Sequence, residues 1–68
     1  MLDRVILEKQ FKHGDVYCSK ICTKHFTDNG NIVETVEYAL EYSQVFSAVL
    51  NRNELEHLRD AINEALNA

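Results

Sequence analysis

Hydrophobic residues recur at intervals of three and four positions in the last eighteen residues, and this spacing predicts an amphipathic helix. The apolar positions of this helix are Leu55, Leu58, Ala61, Ile62, Ala65 and Leu66. Asn51 is the predicted N-cap, and Glu54, three residues later, predicts a capping box. Leu50 and Leu55 occupy the two positions of a hydrophobic staple. Because such a helix has one apolar side, we expect the preceding fifty residues to supply an apolar surface.

The preceding part of the chain has the pattern of antiparallel strands. Residues 4–11 largely alternate, and residues 16–26 are rich in β-branched and aromatic side chains. Asn29-Gly30, between two such runs, is a strong hairpin signal. Residues 45–50 are predicted to form a fourth strand that leads into the helix. The predicted fold is α+β: a four-stranded antiparallel meander followed by one C-terminal helix (ββββα), in a single small domain over residues 1–68.

An alternative fold replaces the last two strands with a helix. Apolar residues also recur at helical spacing between residues 32 and 50, and Asn31 with Glu34 has the spacing of a capping box. The chain would then be a β-hairpin followed by two helices (ββαα). Thr35, Tyr38 and Tyr42 favour the strand, so the meander is the preferred prediction.

Turn lengths predict the register of the sheet. A two-residue turn at Asn29-Gly30 would pair Ile21 with Tyr38, and a three-residue loop over residues 13–15 would pair Leu7 with Ile21. Glu8 and Lys20 would then form a cross-strand charge pair on the opposite face. The face expected to support the helix consists of Val5, Leu7, Phe11, Tyr17, Ile21, Val36, Tyr38 and Leu40.

The other predicted sheet face is too apolar for ordinary solvent-exposed surface. Apolar side chains and both cysteines would lie there together, flanked by lysines, and exposed patches of this kind are typical of interaction sites. The predicted interaction face consists of Ile6, Cys18, Lys20, Cys22, Lys24, Phe26, Val33 and Glu37. A partner protein or a second copy of the chain is expected to cover it.

The length of the chain limits its stability. A domain of 68 residues buries only about 60% of the surface that its unfolded chain exposes. Small domains of this kind usually need a disulfide, a metal or a partner subunit. With two cysteines, no apolar run that could span a membrane and no signal-like start, we expect a cytoplasmic protein with reduced thiols. A homodimer is therefore the expected source of additional stability.

The net charge of −4 is unevenly distributed. Residues 1–26 carry five basic and three acidic side chains, a balance of +2, whereas residues 27–68 carry two basic and eight acidic side chains, a balance of −6. An overall negative field argues against general affinity for nucleic acid. The basic half leaves room for a local site.

Cys18, Cys22 and His25 are the only cluster of potential metal ligands. In the predicted strand, the two cysteines would lie about 13 Å apart and His25 would point to the opposite side. Such side chains cannot share one zinc ion. The sequence also lacks nucleotide-binding and metalloprotease motifs and a marked nucleophile–base pair. We therefore expect no metal, no cofactor and no enzymatic activity.

The preferred functional hypothesis is a protein–protein interaction module. It would be a small cytoplasmic homodimer that binds and modulates a larger partner protein, as an accessory protein, inhibitor or phage-type regulator. The alternative is a protein that binds single-stranded nucleic acid. In that hypothesis Lys9, Lys12, Lys20 and Lys24 contact phosphates, and Phe26 or a tyrosine provides a stacking surface. Neither hypothesis involves a membrane.

Overall fold

The computed structural model describes residues 4–68, which form one four-stranded antiparallel sheet and one helix. The elements are β1 (Arg4–His13), β2 (Val16–Phe26), β3 (Ile32–Tyr42), β4 (Phe46–Leu50) and α1 (Arg52–Asn67). The strands lie in the order β1-β2-β3-β4, so each one pairs with its neighbour in sequence. The predicted ββββα fold is confirmed. The ββαα alternative is wrong because residues 32–42 and 46–50 are strands.

The turn between β1 and β2 contains two residues. His13 pairs with Val16, which leaves Gly14 and Asp15 as the turn. Gly14 has a φ of +59°, and glycine at the first central position is typical of a type II′ hairpin turn. The predicted three-residue loop is therefore wrong by one residue.

The loop between β2 and β3 is longer than predicted. The Thr27 amide donates to the Asn31 carbonyl at 2.8 Å, and the Gly30 amide donates to the Thr27 carbonyl at 3.0 Å. The Thr27 hydroxyl accepts from the Asn31 amide at 3.1 Å. Gly30 has a φ of +79°. This is a turn followed by a left-handed glycine, a common alternative to the two-residue Asn-Gly turn.

The two loops change the register on both sides of β2. Leu7 pairs with Cys22, not Ile21, and Cys22 pairs with Val36. Since β1 and β3 are each shifted by one residue relative to β2, their own side chains keep the predicted faces and only β2 is inverted. Tyr17 and Ile21 thus lie on the face opposite to the one predicted.

The predicted charge pair between Glu8 and Lys20 is also wrong. Glu8 pairs with Ile21, whereas Lys20 pairs with Lys9. A pair of like charges directly opposite each other is unfavourable in a sheet.

The register defines two sheet faces, since paired residues share a face and neighbours along a strand alternate. The helix-bearing face consists of Val5, Leu7, Lys9, Phe11, His13, Val16, Cys18, Lys20, Cys22, Lys24, Phe26, Ile32, Glu34, Val36, Tyr38, Leu40, Tyr42, Phe46, Ala48 and Leu50. The helix-free face consists of Arg4, Ile6, Glu8, Gln10, Lys12, Tyr17, Ser19, Ile21, Thr23, His25, Val33, Thr35, Glu37, Ala39, Glu41, Ser47 and Val49.

The predicted start of α1 is confirmed. The Asn51 side chain accepts from the Glu54 amide at 2.8 Å, and the Glu54 carboxylate accepts from the Asn51 amide at 3.0 Å. The helix then lies against β3 and β4 and does not closely approach β1. Within residues 4–68, no helix is long and apolar enough to cross a membrane.

The contact between α1 and the sheet is only partly closed. Leu55 and Leu58 are half-buried, as is Leu40 beneath them. Ile62, further along the helix, is 48% exposed, and Leu66 is 78% exposed. Among residues 4–68, no hydrophobic side chain is fully buried. The expectation that the helix would cover Val5, Leu7 and Phe11 is therefore wrong.

Candidate interaction surfaces

Most of the exposed apolar surface lies on the side of the sheet that carries α1. Fourteen large apolar side chains are exposed in the described part of the chain. Ten of them are on that side: Val5, Leu7, Phe11, Val16, Phe26, Ile32, Tyr42, Phe46, Ile62 and Leu66. Most soluble monomers do not expose contiguous apolar patches of this kind without a binding function.

An open apolar groove runs between the middle of α1 and the sheet. Its volume is about 460 Å³. The residues that line it include Leu58 and Ile62 on the helix and Val16, Tyr42 and Phe46 at the strand ends. Leu66 lies one helical turn beyond Ile62, so the last turn of α1 extends past the groove. We call Ile62, at the end of the groove, and Leu66, beyond it, the helix overhang.

A second apolar area of the helix-bearing face lies on β1. Val5, Leu7 and Phe11 are 42%, 58% and 49% exposed. They alternate with Lys9, whose Nζ lies 5.4 Å from the centroid of the Phe11 ring. We call Val5, Leu7 and Phe11 the β1 strip. It is as exposed as a solvent-facing strand, although its composition is that of a core strand.

Positive charge also collects on the helix-bearing face. Lys9 and Lys20 are directly paired, and Lys24 lies on the same face opposite Glu34. The inversion of β2 places Lys20 and Lys24 on the same face as Phe11 rather than on the helix-free face.

The charged groups of α1 are exposed. Arg52 Nε donates to Glu56 at 3.1 Å, and Arg59 Nε donates to Asp60 at 3.0 Å. The hydrogen bond to Glu56 raises the pKa of Arg52, with smaller contributions from the charges of Tyr38 and Glu56. Exposed pairs of this kind contribute little to stability because water and salt screen them. They keep the outer side of the helix solvated.

The helix-free face is more polar and carries a smaller apolar patch. Ile6 is 57% exposed, Val33 is 42% exposed and Val49 is 63% exposed. Ser19, at the centre of this face, is only 6% exposed. A hollow of about 410 Å³ lies at one end and is lined by Gln10, Asp15, Tyr17, Glu41, Ser43 and Gln44. These groups offer hydrogen bonds rather than an apolar pocket.

The structure does not bring the predicted interaction residues onto one face. Five of them, all on β2, lie on the helix-bearing face: Cys18, Lys20, Cys22, Lys24 and Phe26. The other three, Ile6, Val33 and Glu37, lie on the helix-free face. The prediction of a single face is wrong, because it depended on the register of β2.

The possible metal ligands are also separated. Cys18 and Cys22 are reduced, half-buried thiols on the helix-bearing face, and His25 lies on the helix-free face. No group of three or more His, Cys, Asp or Glu side chains within residues 4–68 is arranged to hold a metal ion.

The sequence prediction did not identify the β1 strip as exposed. The widths of a four-stranded sheet and of one helix indicate this exposure. Four strands about 4.8 Å apart make a sheet about 19 Å wide, whereas one helix covers about 10 Å. A single helix therefore leaves about half of such a sheet uncovered.

Comparisons with family models, with curated proteins and with solved structures gave no match to this chain. What the protein does must therefore follow from its own surfaces.

Proposed function

We propose that this chain is a small protein–protein interaction module that acts as a homodimer and binds and modulates a larger partner protein. It acts by binding rather than by catalysis, in the cytoplasm, as an accessory or regulatory protein. The proposal rests on the uncovered apolar surface of a chain in which no described hydrophobic side chain is fully buried.

The amount of apolar exposure supports this function. A folded domain is held together mainly by apolar surface removed from water. Here large apolar side chains are half exposed on both faces of the sheet, including Leu7 on one face and Ile6 on the other. Two apolar faces fit a module that makes two different contacts, one with itself and one with a partner.

The larger partner is proposed to bind the helix-free face. Ile6 and Val33 are exposed there, and Glu37 lies one strand from Ile21 on the same face. Apolar side chains surrounded by polar and charged ones are typical of non-obligate interfaces. The charges would add specificity and speed of association rather than most of the affinity.

Affinity capture tests this proposal. Tagged protein would be incubated with lysate of the organism that encodes it, at two salt concentrations and with nuclease treatment. We expect a stoichiometric protein partner that resists salt and nuclease and is lost with Ile6→Glu. Ser47→Glu, on the same face but at the far end of β4, is the matched control and should retain the partner. Capture that is unaffected by Ile6→Glu would contradict the assignment to this face.

Binding of single-stranded nucleic acid is the second candidate, and one observation favours it. Lys9, Lys20 and Lys24 share the helix-bearing face with Phe11, and the Lys9 ammonium lies over the Phe11 ring. Lysines beside exposed aromatic rings are the components of a single-strand binding surface. The net charge of −4 opposes such binding.

Oligonucleotide titration distinguishes the two candidates. If the protein binds nucleic acid, its affinity for a single strand should fall steeply with salt and should be abolished by Lys20→Glu. We expect no such binding, since a homodimer that buries the helix-bearing face would block access to these lysines. Salt-sensitive, Lys20-dependent binding would replace the interaction-module proposal.

A further inference from the structure

We propose that a second copy of this chain covers the helix-bearing face, with the helix overhang of each copy packed on the β1 strip of the other. This inference rests on the homodimer of the proposed function and specifies its interface. It assigns different surfaces to the two contacts: the helix-bearing face to the second copy and the helix-free face to the larger partner.

The surface area of the chain supports this interface. The accessible surface is 5844 Å². A compact monomer of 7.9 kDa is expected to expose about 4,400 Å². The excess is about 1,400 Å², and a stable interface buries about 800 Å² on each partner. The radius of gyration of 15.3 Å likewise exceeds the value of about 11 Å expected for 68 residues. The chain thus exposes enough additional surface for a stable dimer.

The position of α1 leaves room for a partner on the same face. The helix lies against β3 and β4, and no element within residues 4–68 covers the β1 strip. The uncovered half of the sheet is about as wide as one helix. An element from another chain can therefore lie beside α1 and complete the apolar layer.

A second copy is the occupant that fits both halves of this face. A two-fold interface requires a surface that is complementary to itself. Here a projecting apolar element, with Leu66 78% exposed, and a flat apolar strip, with Leu7 58% exposed, lie on the same side of the molecule. One two-fold axis allows each overhang to meet the strip of the other copy, so both are covered at once.

The low stability expected of an isolated chain also favours a second copy as the occupant. With no fully buried hydrophobic side chain among residues 4–68, the isolated domain has little to offset its lost conformational entropy. Obligate dimers often have no stable folded monomer. Another copy of the chain is present whenever the protein is made, whereas a regulated partner is not.

The charge on β1 opposes a competing dimer arrangement. Lys9 lies on β1, an edge strand of the sheet. Two copies that joined through the outer edges of β1 would bring lysine side chains into the contact, and charged side chains on an edge strand oppose edge-to-edge pairing.

Two adjacent residues give a matched test of this interface. Leu7 and Ile6 are 58% and 57% exposed on the same strand but lie on opposite faces. Molar mass would be measured by sedimentation equilibrium for the full chain and for Leu7→Glu and Ile6→Glu. We expect a dimer for the unmodified chain and for Ile6→Glu. Leu7→Glu should raise the dimer Kd by about a hundredfold or more, because each copy would have to bury a charged carboxylate in place of an apolar side chain.

The outcomes separate this inference from the proposed function. A dimer that tolerates Leu7→Glu but is lost with Ile6→Glu, or that tolerates both, would overturn the interface while leaving a homodimer. A monomeric unmodified chain at high concentration would overturn the homodimer itself. Capture of the larger partner is measured independently, so it can fail or succeed without affecting this result.

Native thiols provide a second measurement that requires no substitution at the interface. Cys22 pairs with Leu7 on the helix-bearing face and is only half-buried in the single chain. We expect its alkylation rate to fall at least about tenfold between dilute and concentrated protein as the second copy covers it. As a control, Val49→Cys on the helix-free face, followed by peptide mass spectrometry in the otherwise unmodified chain, should react at a rate independent of concentration. Equal rates for Cys22 at both concentrations would contradict the interface even if Leu7→Glu failed to fold.

Discussion

Asn51 and Glu54 each bind the backbone of the other: the Asn51 side chain accepts from the Glu54 amide at 2.8 Å, and the Glu54 carboxylate accepts from the Asn51 amide at 3.0 Å. Two amides that the first turn of α1 would leave without partners are thereby satisfied. Leu50 and Leu55, on either side of this box, are both half-buried. The start of the helix is therefore fixed by local interactions, which matters in a domain with little buried surface.

We expect Asn51→Ala to lower the free energy of unfolding by about 1 kcal/mol, because alanine cannot accept the hydrogen bond from the Glu54 amide. Urea denaturation monitored by circular dichroism measures the change. Asn53→Ala is the control, since Asn53 lies within the first turn and has no capping role. It should be neutral or slightly stabilising because alanine has the higher helix propensity. Equal losses for both variants would show that the cap does not stabilise the helix.

Gly30, in the β2–β3 loop, should tolerate a side chain poorly. Its φ of +79° is unfavourable for any residue with a Cβ, although no described atom outside its two chain neighbours lies within 4 Å of where that Cβ would be. We expect Gly30→Ala to destabilise the protein by about 1 kcal/mol through backbone strain alone. Gly30→Asn should cost less, because asparagine tolerates this conformation better. A neutral Gly30→Ala would mean that the loop adopts a different turn in solution.

In the turn between β3 and β4, we expect a substitution to glycine to stabilise the protein. Gln44 has a φ of +62° without being glycine. Gln44→Gly should therefore stabilise the protein by about 0.5 kcal/mol, since relief of strain exceeds the added entropy of the unfolded chain. Val45→Gly, at the next position, has no positive φ to relieve and should not stabilise it. Thermal melts of the two variants provide the comparison, and stabilisation by both would point to a cause other than backbone strain.

The parts of the fold that depend on local chemistry were predictable from the sequence. The capping box at Asn51 and Glu54 and the strand limits of β2 required only neighbouring residues. The register depended on loop length, and Asn29-Gly30 is compatible both with a two-residue turn and with the longer loop that forms.

Burial could not correct the register error. A shift of one residue normally moves polar side chains into the core and is easily excluded. In β2, however, Tyr17 and Ile21 alternate with Cys18 and Cys22, so both sides are moderately apolar. The hydrophobic pattern of β2 therefore did not show which of its two sides faces the helix.

The candidate surfaces were predictable only in part. Ile6, Val33 and Glu37 keep their predicted face because the errors at the two loops cancel between β1 and β3. The exposure of Leu7 was missed because an apolar side chain on the predicted core face was assumed to be covered within its own chain. An apolar pattern shows that a surface should be covered, but it does not show by which chain.

The dependence of thermal stability on protein concentration tests most directly whether this chain folds stably only as a dimer. Thermal unfolding would be measured for the unmodified chain at about 1 µM and about 100 µM. If association buries the helix-bearing face, Tm should rise by about 5–10 °C between the two concentrations, because dimer formation is coupled to folding. An identical Tm at both concentrations, together with a monomeric mass, would show that the single chain is stable with Leu7, Phe11 and Leu66 in water and would contradict the account.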